Sequence, residues 1–451
     1  MALFSRREIQ KRLDEVAALL TREQLTTLTD RLNRTDQRAI EAEWELMCLS
    51  SLARTGTVRH EHQFPGATRF PDVHFKNAAI EFIADITAVS DAGYEDENPV
   101  DILWKEMRRL IQKHAPLGGL DLAVQSGMHG KPRDQKVKLA IPPQTEIPAF
   151  LKRNFVPFLQ MVGKNPDTPA RHQAPVEGAG VIQLDYNPKR RPQNRHAGHL
   201  SFDVPYSLNR NPVFNSLKAK KQQLAKAGFS GLTGIVLCDG DCSALTSRMY
   251  NPTAYTLDNI VWDFLRQNSS IGFVIAVGVA SQHSPFGGRT QHSLVPKLFT
   301  QRSVDATATQ CLTDVYNAML GHFPKVHRTP SNARYHIERG SPPTARRSDF
   351  FCWFSVKPGG PMQKSEIKLS SRTLTALLAG AIDLKEFREA HCLSSNNGSP
   401  PFEPLRQFVH EGRKLESVKI EEMPGEDDDL VVLTFGPVDM AAVKFQMPDK
   451  V

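Results

Sequence analysis

Residues 71–87 read Pro71-Asp72-Val73-His74-Phe75-Lys76-Asn77-Ala78-Ala79-Ile80-Glu81-Phe82-Ile83-Ala84-Asp85-Ile86-Thr87. Two short apolar runs flank the polar turn Lys76-Asn77-Ala78, which predicts adjoining strands over about 72–76 and 79–87. Asp72 opens the first strand and Asp85 nearly closes the second. Strand alternation puts Phe82, Ala84 and Ile86 on one face and Glu81, Ile83, Asp85 and Thr87 on the other. A carboxylate within so apolar a strand must be paired or hold a cation. Asp72 alone also reads as a turn residue after Pro71, and Glu81 is an alternative acid on the Asp85 face.

Upstream, a helix over about 36–54 carries Glu41, Glu43 and Glu45 and ends near Gly56. Ile40, Trp44, Met47 and Ser51 mark one of its faces. Acids from a helix and a hairpin form the oxygen donor set of a hard divalent cation, because Mg²⁺ takes one or two protein carboxylates and completes its shell with phosphate and water. Such a centre activates water and stabilises charge on a scissile phosphate. The same glutamates also read as a solvated helix face.

Downstream, a helix is expected over about 211–227, with Gly228 as its cap. A buried strand at 234–239, a helix at 256–266 and a buried strand at 273–279 follow. Helix and strand in alternation predict an α/β core. Residues 6–32 read as a helical hairpin whose second helix opens with the capping box Thr21-Arg22-Glu23-Gln24. Further helices are expected from about 98 to 114 and near 147–162, and strands at 57–63. Ser341 to Arg347 reads as a linker, and Leu430 to Phe435 as a C-terminal strand.

The chain has 451 residues, 40% hydrophobic and 23% charged, enough for two or three domains. No run of about 18 apolar residues predicts a membrane span. Six scattered cysteines are too few for a disulfide scaffold, so reduced thiols and a cytoplasmic location are expected. Cys238 and Cys242 have the spacing of a zinc half-site, but no second pair matches them. His60-Glu61-His62 lacks the helical spacing of a zinc motif and reads as strand. Asp239 and Asp241 end a strand, where open α/β sheets bind ligands, and also read as a polar glycine turn. The net charge of +7 suits a polyanion partner. The basic run from Pro188 to His196, with Lys189, Arg190 and Arg191, is a candidate phosphate-binding arm.

The order of helix with Glu, strand, Pro-Asp strand, acidic strand, helix and strand resembles the PD-(D/E)XK restriction-endonuclease-like nucleases. The matching residues are Pro71-Asp72 and Asp85-Ile86-Thr87, with Glu45 eleven positions before Gly56. The resemblance implies a Mg²⁺- or Mn²⁺-dependent phosphodiesterase acting on DNA or RNA, with Glu45, Asp72 and Asp85 holding the metal. Thr87 stands where the family has its Lys, two positions after the second acid, and a hydroxyl cannot replace that charge. A relocated cation is then expected from Lys218, Lys220 or Lys221. We assign Lys220 to catalysis with Asp72, Asp85 and Thr87, and Lys218 and Lys221 to nucleic-acid contact. The alternative is an inactive scaffold that binds nucleic acid or a protein.

The expected architecture is mixed α/β. A helical hairpin (1–35) precedes a restriction-endonuclease-like core (36–90 and 206–280), interrupted by a large insertion (91–205). An irregular region (281–360) and an α+β C-terminal region (361–451) follow.

Overall fold

The computed structural model describes residues 3–34, 36–115, 118–129, 136–190, 196–199, 207–246, 255–282, 291–331, 333, 365–384, 387, 408, 412–423 and 426–438. The fold is mixed α/β. Helices α1 (Arg6–Val16), α2 (Arg22–Leu32) and α3 (Gln37–Ala53) come first, then strands β1 (Thr57–Arg59), β2 (Val73–Lys76) and β3 (Glu81–Val89). Helices α4 (Ala92–Glu97) and α5 (Val100–His114) lead into β4 (Leu120–Val124), β5 (Ser126–His129) and β6 (Lys136–Leu139). Helix α6 (Ile147–Lys164) precedes β7 (Ala170–Val176), β8 (Gly180–Tyr186) and β9 (His196–Gly198). Then come α7 (Pro212–Leu224), β10 (Leu232–Asp239), α8 (Ser243–Thr246), α9 (Leu257–Gln267), β11 (Phe273–Gln282), β12 (Gln291–Thr300) and α10 (Ala306–Gly321). The C-terminal part contributes β13 (Ser365–Ser370), α11 (Ser371–Leu378), β14 (Arg413–Glu421) and β15 (Leu430–Val438).

The main sheet has six strands in the order β1-β2-β3-β10-β11-β12. Strands β3, β10 and β11 run parallel, while β1, β2 and β12 pair antiparallel at the two ends. Its central strands are buried on both faces, which explains their continuous apolar runs. One face, with Phe82, Ala84, Ile86, Val236 and Val277, packs on α1, α2, α3 and α10. The other, with Ile83, Val89, Ile235 and Ala276, packs on α7, α8 and α9. The alternation read from β3 is therefore the division between the two cores.

Helix α3 is the buried centre of the first layer. Asp36 caps it by accepting from the Arg38 amide, and Trp44, fully buried, donates its indole N–H to the Asp239 carbonyl at 2.6 Å. That bond ties the helix to the end of β10. Gly56 lets the chain leave α3 against the Phe75 ring, where a Cβ would fall 2.7 Å from the ring.

Several boundaries differ from the sequence reading. The N-terminal hairpin is not a separate unit: Val16 and Leu28 lie in the same core as α3, and buried Glu43 accepts from the amides of Leu3 (2.8 Å) and Phe4 (3.4 Å). The region after 281 is not all irregular. β12 extends the sheet across the full length of β11, and α10 supplies Leu312, Val315 and Met319 to the first core. Half-polar alternation hides β12. The strand expected at 57–63 stops at Arg59, because Glu61 adopts a left-handed φ of 50° that breaks the ladder. The insertion has its own core, built from α5, α6 and the four-stranded sheet β7-β8-β4-β9. The C-terminal sheet, β13-β15-β14, also has a core of its own and is joined to α1 by a two-pronged Arg7–Asp429 ion pair. Ser341 to Arg347 lies outside the described residues.

Trp44→Ala removes a fully buried ring and the α3–β10 hydrogen bond. It is expected to cost about 3–5 kcal/mol, the range for a large aromatic truncation, read as a lower midpoint in equilibrium urea unfolding.

Candidate functional site

The pairing of β2 with β3 sets Val73 against Ala84, so Asp72 lies next to Asp85 just beyond the ladder. Each acid is fixed by the other's strand. The Asp72 amide donates to Asp85 Oδ1 (3.2 Å), and the Ile86 amide donates to Asp72 Oδ2 (2.7 Å). Among the described residues, Asp72 Oδ1 and Asp85 Oδ2 accept no hydrogen bond. The pair is thus preorganised, with Asp72 Oδ1 free of hydrogen bonds among the described residues and Asp85 Oδ2 facing the Lys220 ammonium.

β3 also pairs with β10, in parallel, with Asp85 against Ile235. The crossover between them ends in α7, which packs on the Asp85 face through Val213, Phe214 and Leu217. Asn211 caps α7 by accepting from the Val213 and Phe214 amides. Lys220, the next helical neighbour after Leu217 on this side, brings its ammonium to 3.5 Å from Asp72 Oδ2 and 3.9 Å from Asp85 Oδ2. Lys218 instead lies over the Phe214 ring at 4.5 Å, and Lys221 shows no ion pair among the described residues. The three lysines span too much of the helix circumference to face one place together.

Glu45, one layer away on α3, is buried and binds Arg31 Nη1 of α2 at 2.7 Å. Its other oxygen is 3.5 Å from His60 Nε2. His60 Nδ1 meets the Asp72 carbonyl at 2.7 Å, and since a carbonyl only accepts, Nδ1 carries the proton. His60 therefore links the Glu45 carboxylate to the Asp72 backbone. Glu41, one turn before Glu45, lies in the field of Arg31, Arg38 and Lys220. Glu43 faces away, toward the N-terminal segment.

The electrostatics are those of a crowded anionic centre. Burial pushes the Asp85 carboxyl up to about 7, with the Asp72 charge adding to the rise and Lys220 opposing it. Burial also raises Glu45, Arg31 pulls it back and Asp72 raises it further. Glu41 is raised by burial as well. Three cations, Arg31, Arg38 and Lys220, thus act on four carboxylates, Glu41, Glu45, Asp72 and Asp85. Among the described residues, no three His, Cys, Asp or Glu side chains form a ready-made metal cage. The paired aspartates could supply the few protein oxygens that Mg²⁺ takes.

Thr87 lies two residues beyond Asp85, half-buried on the same face and opposite Leu237 of β10. Glu81, the alternative acid, is taken up by His74 (2.9 Å) and Lys76 (2.8 Å). Lys189 is exposed on the insertion, Arg190 pairs with Asp121 at 2.8 Å, and Arg191 lies outside the described residues. Cys238 and Cys242 are no half-site: Cys238 faces Cys48 in the first core and Cys242 lies in the second. Asp239 is a turn former, accepting from the amides of Asp241, Cys242 and Val279. Sequence reasoning missed His60 and Arg31. His60 was hidden by the strand reading, and Arg31 by treating the N-terminal hairpin as separate. Comparison with protein-family models, curated proteins and solved structures found no match.

A carboxyl whose folded pKa lies above its unfolded value holds its proton in the folded state. Its stabilising contribution is complete below the ordinary carboxylate range and is lost as pH rises through the folded value. Asp85 and Asp239 near 7 and Glu43 near 8 all act in this direction. Without divalent cations, thermal stability is expected to fall between mildly acidic and mildly alkaline pH. Asp85→Asn is expected to gain about 1–3 kcal/mol on the alkaline side and little on the acidic side, as read by thermal melts across pH.

Proposed function

We propose that the Asp72–Asp85–Lys220 cluster is the centre of a divalent-cation-dependent phosphodiesterase, a nuclease on a restriction-endonuclease-like core. The observation that carries this reading is Lys220. Its ammonium reaches both aspartates from α7, supplying the cation that Thr87 cannot. Support also comes from the interlocked acids, each with one oxygen that accepts no hydrogen bond among the described residues, and from Glu45 on the helix before the hairpin.

In this reading Asp72 and Asp85 hold Mg²⁺ or Mn²⁺, with Glu45 on the flank. The bound cation would polarise the scissile phosphate and lower the pKa of a coordinated water. Asp85, raised to about 7 by burial and Asp72, would be held in its ionised form by such a cation. Lys220 positions the attacking water or offsets charge on the phosphate oxygens. The water would pass a proton to solvent as its oxygen bonds to phosphorus, the ester P–O bond would break, and the leaving oxygen would take a proton from solvent. Thr87 offers only a hydroxyl toward this chemistry. Lys218, Lys221 and Lys189 would contribute salt-sensitive backbone contacts, as would the other basic residues of that arm.

A second reading, a non-catalytic nucleic-acid- or protein-binding scaffold, is favoured by the backbone bonds that already satisfy one oxygen of each aspartate. Activity separates the two. Incubation with single- and double-stranded DNA and RNA in Mg²⁺ or Mn²⁺ is expected to give cleavage that EDTA abolishes. Asp85→Ala and Lys220→Ala should each lower turnover by about a hundredfold or more, the scale of a lost proton-handling group. Glu81→Gln should leave it unchanged. Metal-independent turnover, or turnover insensitive to Asp85→Ala, contradicts the proposal.

A further inference from the structure

The connection from β1 to β2, residues 60–72, is long for a hairpin, and loops of that length are usually functional. It is nevertheless fastened at several points. His60 bonds the Asp72 carbonyl, so the two ends of the loop are joined. The Thr68 amide donates to the Lys226 carbonyl (3.1 Å), just beyond α7. Phe64 packs on Phe229 at 5.1 Å and on His74 at 5.1 Å. Gly66 turns the chain with a φ of 75°.

What this frame presents is Arg69-Phe70-Pro71-Asp72. Thr68, Arg69 and Phe70 are all exposed, and Phe70 keeps 47% of its surface in contact with water. The residue before a proline is confined to extended conformations, and Pro71 has its own φ fixed. The backbone that carries the exposed ring is therefore restrained. Its Cα lies two virtual bonds, each about 3.8 Å, from that of Asp72. Asp85, by contrast, is only 2% exposed. Arg59, exposed at the end of β1 where the loop begins, lies directly opposite His74.

Resting on the proposed phosphodiesterase reading, we infer that Phe70 and Arg69 form a recognition platform for single-stranded nucleic acid. Phe70 stacks on an unpaired base beside the phosphate that a cation at Asp72 and Asp85 would hold, and Arg69 contacts the neighbouring phosphate. An aromatic face accepts any base, so the platform selects strandedness rather than sequence. A base within a duplex is already stacked on both faces and cannot take the ring without disruption. The recessed aspartates also suit a flexible strand better than a rigid helix.

The test is fluorescence anisotropy in EDTA, with full-length protein and labelled oligo-dT, oligo-rU and the oligo-dT·oligo-dA duplex. Single strands are expected to bind more tightly than the duplex. Phe70→Ala should weaken single-strand binding by roughly tenfold, the scale of one lost base stack, and Phe70→Trp should preserve it. Arg69→Ala should reduce the salt slope by about one contact. Equal or tighter duplex binding, or single-strand binding unaffected by Phe70→Ala, overturns the inference. Because Phe70 is exposed, unchanged thermal melts will show that its variants fold. The two readings fail separately. Phe70-dependent single-strand binding without scission upholds the platform and removes the nuclease, whereas metal-dependent scission with binding and KM indifferent to Phe70 does the reverse.

Discussion

The parallel pairing of β3 with β10 is the constraint on which the site depends. Parallel neighbours cannot be joined by a tight turn, so the chain must cross over one face of the sheet. Here the crossover ends in α7 on the face where Asp85 points. Capping by Asn211 and burial of Val213, Phe214 and Leu217 fix the rotation of that helix, and Lys220 follows from it. The insertion lies within the same crossover but folds on its own core. Its size therefore does not disturb how α7 returns to the sheet.

The opposite layer supplies the rest of the centre. Helix α3 is buried along nearly its whole length, so its glutamates are sorted by which neighbour can answer them. Glu43 meets the backbone amides of the N-terminal segment, while Glu45 meets Arg31 and His60. An isolated buried charge is costly, and each of these acids is partnered. At the hairpin the compensation is incomplete. Asp72 and Asp85 share one ammonium at ion-pair distance, and Asp85 responds by holding its proton toward neutrality. A cation entering there would find an acid destabilised by its own surroundings.

Much of this was legible in the chain. The period-two pattern of 81–87 names the two cores of the sheet, and the apolar runs of β10 and β11 mark strands buried on both faces. The acid pair at 72 and 85 could be read because both lie at the same end of one hairpin. Long-range packing could not be read. Choosing among Lys218, Lys220 and Lys221 requires the helix rotation, and choosing among Glu41, Glu43 and Glu45 requires knowing that the N-terminal segment lies behind α3. His60 was obscured by a single left-handed residue, Glu61, that local alternation does not reveal. The helices of the first hairpin were recognised from capping and periodicity. Their place against α3, and hence the Arg31–Glu45 pair, depends on tertiary contacts.

The central claim is that Asp72 and Asp85 together hold a divalent cation. The most direct measurement is a crystal structure of the protein soaked in Mn²⁺, with anomalous differences recorded near the manganese edge. The account predicts an anomalous peak at ligand distance from both carboxylates, with the Lys220 ammonium displaced from its present position between them. A fully soaked crystal with no peak at this pair and the Lys220 ion pairs intact would contradict it.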